Sequence, residues 1–209
     1  AGVAVNMFLT LLGGYLLSRR NWMFQKVMVL SVIFTMYFSG GLIPFYLTVR
    51  DLRLDNTLWS LILPTAISTY NLIIMRTAFA AVPESLEESA KLDGASHFVI
   101  LTRIMIPLVG PTIAVLVLYY GVGHWNSWFN AMIFLRDRSE YPLQLILREI
   151  LIQNSLNDMT MGEGMADREM IAETIKYAVI VVSTVPILCL YPFLQKYFVK
   201  GVMIGALKG

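Results

Sequence analysis

The chain has 209 residues, of which 57% are hydrophobic and 14% charged, with a formal net charge of +2; its mean hydropathy is +0.66. These values lie far from the averages of a soluble domain and point to a membrane protein. The near-neutral balance, without a basic stripe interleaved with aromatics, argues against a nucleic-acid partner, and the lone Cys189 excludes an intrachain disulfide or a multi-cysteine metal site.

Apolar runs long enough to cross a bilayer, about 20 residues at 1.5 Å each, occur at 1–18, 28–48, 58–82, 106–130 and 170–195. They are too long and too uniformly apolar for transmembrane β-strands. The expected fold is therefore all-α, a polytopic helical membrane protein with one transmembrane domain over 1–209. Pro111 and Pro186 lie inside the fourth and fifth runs, which membrane helices tolerate when neighbours satisfy the freed backbone groups. Cys189 reads as a small packed apolar residue. Residues 1–18 lack a basic leader and a clear cleavage site, so no signal peptide is expected. The chain opens in an apolar stretch without Met, and an amino-terminal portion is expected to be missing.

Charge orients the spans. Arg19, Arg20 and Lys26 follow the first run, Lys91 and Arg103 the third, and Lys196, Lys200 and Lys208 the fifth. By the positive-inside rule these segments are cytoplasmic, including the tail 196–209 and the C-terminus. The loop at 131–169 then lies outside, with the short loop that holds Arg50, Asp51, Arg53 and Asp55.

The segment 83–105 is polar and charged between two apolar runs. Pro83 suits a helix start, while Ser85 and Glu88 have the spacing of a capping box. Leu86 and Ala90 share one helical face, with Glu84, Glu87 and Lys91 pointing elsewhere. Gly94 supplies the left-handed residue that ends a helix, and Ser96 caps a second helix running toward Ile104. The expected product is a helix-turn-helix knob, with Glu88 placed to pair with an arginine of a partner.

Glu88-Ser89-Ala90, three residues, Gly94, nine residues and Ile104-x-Ile106-Pro107 resemble the cytoplasmic EAA loop of ABC importer permeases. Ser89 stands for the first Ala and Ile106 for the Leu. The likeness extends along the chain. Leu92-Asp93-Gly94-Ala95, Trp125-Asn126-x-Trp128 and the ending from Gln195 to Gly209 are similar to carbohydrate-importer permeases of the maltose-permease type. That resemblance implies a six-span family pattern with the first span missing here, in a multi-pass protein of a bacterial inner membrane. It implies a heterodimer with a second permease, two ATPase subunits and an extracytoplasmic solute-binding protein. It places ATPase coupling on Ser85, Leu86, Glu88, Ala90, Leu92, Asp93, Gly94, Ala95, Ile104 and Pro107. ATP and Mg would belong to the ATPase subunits, with no cofactor in this chain.

Tyr119, Tyr120, His124, Trp125, Asn126, Trp128 and Asn130 crowd the end of the fourth run. Aromatic faces stack on sugar rings and amides bond hydroxyls, so Tyr119, Tyr120, Trp125, Asn126, Trp128 and Asn130 are candidates for the substrate path; an interfacial aromatic belt is the competing reading. Asn6, Asn71, Arg76 and Lys176 are polar groups at or within apolar runs, which makes them functional pointers, with snorkelling or pairing to a partner subunit the other reading for Arg76 and Lys176. Gly13-Gly14, Gly40-Gly41, Gly121 and Gly123 offer close helix approach or local bending, against the plainer reading that glycine is common in membrane helices. Asn154, Asn157, Asp158 and the run Met161 to Gly164 fall on the outside loop, where a binding protein would dock.

No P-loop, metalloprotease motif or nucleophile–base spacing is present, so ATP use belongs to another chain. An ion-gradient-driven secondary transporter is the alternative, though internal repeats and paired short spans are not evident. Tyr141-Pro142-Leu143-Gln144 and the ending from Lys196 to Gly209 resemble permeases for oligosaccharides derived from polysaccharides, acidic ones included.

Overall fold

The computed structural model describes residues 1–19, 23–160 and 173–192, without the side chains of 155–160. The tail 196–209, the run Met161 to Gly164 and the side chains of Asn157 and Asp158 lie outside the described residues. In chain order the helices are α1 (Gly2–Ser18), α2 (Gln25–Tyr37), α3 (Leu42–Asp51), α4 (Trp59–Ile62), α5 (Thr69–Ala80), α6 (Glu84–Leu92), α7 (His97–Leu108), α8 (Gly110–Trp125), α9 (Trp128–Phe134), α10 (Leu143–Thr160) and α11 (Glu173–Pro192). Among the described residues there is no strand.

The apolar runs are broken more often than their hydropathy suggests. α11 is the one described helix that is by itself long and apolar enough to span a bilayer, and α1 is a shorter apolar helix. The run 28–48 bends by 114° between α2 and α3, at Ser39-Gly40-Gly41, where Gly41 has φ +83°. The run 58–82 splits into α4 and α5 across residues 63–68, where Leu63 keeps helical angles and Pro64 has no N–H to continue the ladder of α4. A bend of 84° separates α7 from α8 between Pro107 and Pro111. Neither proline can donate a backbone bond, and the turn before them, Ile100–Met105, is π-helical. The segment 131–169 is not a plain loop: the end of α9 and all of α10 fall within it.

The core is built where α1 crosses α5. An added Cβ on Gly14 would lie 2.7 Å from Met75 Cγ, and one on Gly13 3.0 Å from Leu72 Cδ1. In lipid, helices associate through such close packing rather than through the hydrophobic effect. Met7, Tyr15, Met75, Phe79, Ala90, Ile100, Met105, Leu116 and Tyr120 fill one buried cluster around this crossing. A second cluster, with Ala131, Leu135 and Leu145 buried, joins α4, α9 and α10. Gly121 and Gly123 face open space, so the close-approach expectation holds for Gly13 and Gly14 alone among those helical pairs. Cys189 is exposed on α11 rather than packed.

The two ends of the bundle are distinct. Arg19, after α1, reaches Glu87 of α6 at one end. At the other, Asn56 N–H donates to Phe134 O at 2.8 Å, Arg136 N–H to Asn56 Oδ1 at 2.9 Å, and Arg136 pairs with Asp55 at 3.7 Å. Loops expected on the same side therefore meet. Gly14→Val is expected to lower the unfolding midpoint of the detergent-solubilised chain, by an overpacking cost of about 1–3 kcal/mol. Gly121→Ala, which meets nothing, should leave the midpoint unchanged; equal stability of both variants would contradict the described crossing.

Candidate functional site

The segment 83–105 folds as a short helix, a sharp turn and a second helix. Pro83 occupies the N-cap of α6 with no side-chain cap bond, so the capping box from Ser85 to Glu88 does not form. At the other end Gly94 takes φ +78°. Ala95 N–H donates to Ala90 O at 2.9 Å and Gly94 N–H to Lys91 O at 3.0 Å, the paired bonds of a Schellman motif. Ser96 then caps α7, accepting from Val99 N–H at 3.4 Å.

The faces of α6 differ from the expectation. Ala90 is buried in this chain's own core, and Leu86, four residues earlier, is exposed. Glu87, expected to point elsewhere, is 6% exposed and turned inward. Arg19 and Lys91 both reach its carboxylate, Lys91 at 3.0 Å. Burial pushes the pKa of the Arg19 guanidinium down, opposed by Tyr15 and Glu84; the ion pair with Glu87 answers that burial. Arg19 also lies 4.7 Å over the Tyr15 ring, whose hydroxyl bonds His97 Nδ1 at 3.2 Å. With these residues holding the inward side, Ser85, Leu86, Glu88, Leu92, Asp93 and Gly94 remain exposed, Leu92 at 89%. Ala95 and Ile104 pack partly against the core, while Pro107 is exposed.

The aromatic strip divides into an inward and an outward part. Tyr120 is buried; its hydroxyl accepts from Ser68 N–H at 3.2 Å and bonds Thr10 Oγ1 at 2.7 Å. One turn on, His124 Nε2 bonds Asn6 Oδ1 at 2.6 Å. Asn6 Nδ2 donates to Thr65 O at 2.8 Å and Ala66 O at 2.9 Å. These bonds satisfy the unwound link between α4 and α5, which an apolar environment would otherwise penalise. Tyr119, Gly123 and Asn126 are exposed along one face of α8 and its cap. Trp125 is half-buried and donates to Ser183 O of α11 at 3.1 Å. Trp128 and Asn130 are half-buried, and Arg148 stacks 4.3 Å over the Trp128 ring.

Arg76 does not reach outward; its Nε donates to Leu17 O at 3.1 Å, the carbonyl that Gln25 Nε2 also meets at 3.0 Å. Sequence reasoning missed Arg19, Glu87, Thr10 and Ser68 as members of these clusters. The i,i+4 spacing of Glu87 and Lys91 was the one local signal available. Among the described residues, no three His, Cys, Asp or Glu side chains gather as a metal site.

Comparison with known proteins gives this arrangement its context. The family model described as binding-protein-dependent transport system inner membrane component matches residues 9–204. The chain is 47% identical to the polygalacturonan/rhamnogalacturonan transport system permease protein YtcP of Bacillus subtilis (strain 168), over 100% of this chain and 73% of that protein. It is 30% identical to the maltodextrin transport system permease protein MalD of Streptococcus pneumoniae, over 99% of this chain and 70% of that protein. The crystal structure of a bacterial ABC transporter involved in the import of the acidic polysaccharide alginate matches with a TM-score of 0.77 and 32% identity, covering 94% of this chain and 74% of the other. The chain belongs to the binding-protein-dependent transport system inner membrane components, and is a membrane-spanning permease subunit of an ABC importer.

Proposed function

We infer that this permease forms half of a translocation path for a sugar or oligosaccharide, and specifically for fragments of an acidic polysaccharide. The similarity along the whole chain to a polygalacturonan/rhamnogalacturonan permease carries the substrate class, and the match to an alginate importer agrees with it. The permease family leaves the ion-gradient alternative without an observation in its favour. The partners are a second permease subunit, two ATPase subunits that bind ATP and Mg, and an extracytoplasmic solute-binding protein. This chain binds no cofactor and hydrolyses nothing.

One observation carries the coupling role: α6 presents Ser85, Leu86, Glu88, Leu92 and Asp93 to the outside while Glu87 and Ala90 fasten it to the bundle. A stiff helix with one face fixed and the other free is suited to passing rigid-body motion from a docked ATPase to the spans. The loop 83–105 accordingly faces the cytoplasm, together with the C-terminus, and 131–169 faces outward. ATP binding and release bias two packings of the helices, one open to each side. Tyr119 and Asn126, exposed on α8, are the better candidates for sugar contact, with Trp125, Trp128 and Asn130 flanking them. Tyr120 holds the helices in place and does not meet substrate.

Glu88→Arg is expected to reduce the amount of ATPase subunit that co-purifies with the permease pair; unchanged co-purification would remove Glu88 from the interface. Gly94→Val places a β-branched residue at φ +78°, at a cost of order 1–3 kcal/mol. The turn should distort, and substrate-stimulated ATP hydrolysis should fall by about tenfold while the subunit remains in the membrane. Undiminished stimulation would contradict the coupling role of the loop.

A further inference from the structure

Glu88 faces out and its neighbour Glu87 faces in. A carboxylate as buried as Glu87 is tolerated when cations meet it, and one of its two cations, Arg19, comes from a different element. Arg19 is itself held, by Nε and Nη2 donating to Ser18 Oγ at 3.1 and 3.0 Å and by the Tyr15 ring beneath it. Tyr15 also meets His97 at the start of α7. Both arms of the knob, α6 through Glu87 and α7 through His97, are thus fastened to the short segment from Tyr15 to Arg19. From there α1 continues unbroken to Thr10 and Asn6, which hold Tyr120, His124 and the link between α4 and α5. The helix between Asn6 and Arg19 spans roughly 20 Å.

We propose that the Glu87–Arg19 ion pair is a brace that makes α1 a strut, carrying motion of α6 to the Tyr120–His124 cluster in parallel with the covalent route through α5. The inference rests on the coupling role proposed for α6. The contacts of Ala90 are apolar and non-directional, so they permit α6 to slide or pivot. A buried, hydrogen-bonded ion pair fixes one register between α6 and α1, and α1 then has to move with α6. Glu87 and Arg19 are positioning residues: they meet neither substrate nor nucleotide.

The test uses the full-length permease, assembled with its partner permease and ATPase subunits in liposomes, with trigalacturonate-loaded binding protein. Three quantities are read for Glu87→Gln, Arg19→Gln, the double variant and Arg19→Lys: ATPase subunits retained, ATP hydrolysed, and trigalacturonate taken up per ATP. Each neutral variant should keep its ATPase subunits and hydrolysis, while uptake per ATP falls by about fivefold or more. The double variant should be no worse than either single one, and Arg19→Lys should keep most of the coupling. If Glu87→Gln fails to accumulate in the membrane, Arg19→Gln against Arg19→Lys gives the same reading at the more exposed partner. Unchanged uptake per ATP in the neutral variants, or losses that multiply in the double, overturn the brace. A parallel Gly94→Val sample separates the two ideas. If it uncouples while the neutral variants do not, the brace alone fails. If Gly94→Val is also without effect, the coupling reading of the loop fails, and the brace with it.

Discussion

A backbone carbonyl or amide left without a partner in hydrocarbon costs several kcal/mol, and this chain breaks its apolar runs repeatedly. The described structure depends on how those breaks are satisfied. Between α4 and α5 the freed groups go to Asn6 and Tyr120. At the end of α1, Leu17 O takes donors from Arg76 and Gln25, and on α11 Ser183 O takes the Trp125 indole N–H. In each case a side chain of one helix completes the backbone of another, so the same bonds that permit the breaks also tie the helices together. α1 takes part in most of them, and its close crossing with α5 at Gly13 and Gly14 sets its position.

A permease needs that combination of breaks and ties. Straight, independently satisfied helices could associate in many registers, because lipid offers no hydrophobic preference among them. Bends at Ser39 to Gly41 and between Pro107 and Pro111 divide the bundle into segments, and the polar bonds limit how those segments move. The knob at 83–105 follows the same logic on the polar side. Its outward face is left to a partner, and its inward face carries a buried acid that only a remote arginine and a local lysine make tolerable.

The sequence made much of this readable and hid the rest for identifiable reasons. Gly94 and Ser96 act as the turn and cap their types suggested, because those roles depend on a few local dihedrals. α1 and α11 lie where uniform apolar runs placed them. The bends within the middle apolar runs do not show in the sequence because an average over about 20 residues barely registers a Gly-Gly pair or a single Pro. On α6 apolarity favours burying Leu86 with Ala90, whereas the fold buries Glu87 with Ala90. That choice depends on Arg19, far off in the chain, and the i,i+4 spacing of Glu87 and Lys91 hints only at the local half of it. Tyr120 belonged to a crowded aromatic strip, and only the packing separates its inward hydroxyl from the outward Tyr119.

The central claim is that this permease couples oligosaccharide uptake to nucleotide hydrolysis in other subunits. ATP hydrolysis by the assembled transporter in liposomes, with and without binding protein loaded with an acidic oligosaccharide, tests it most directly. The account predicts hydrolysis that rises with loaded binding protein, and uptake that persists when ion gradients are dissipated. Hydrolysis indifferent to the loaded binding protein, with uptake that follows an ion gradient, would contradict it.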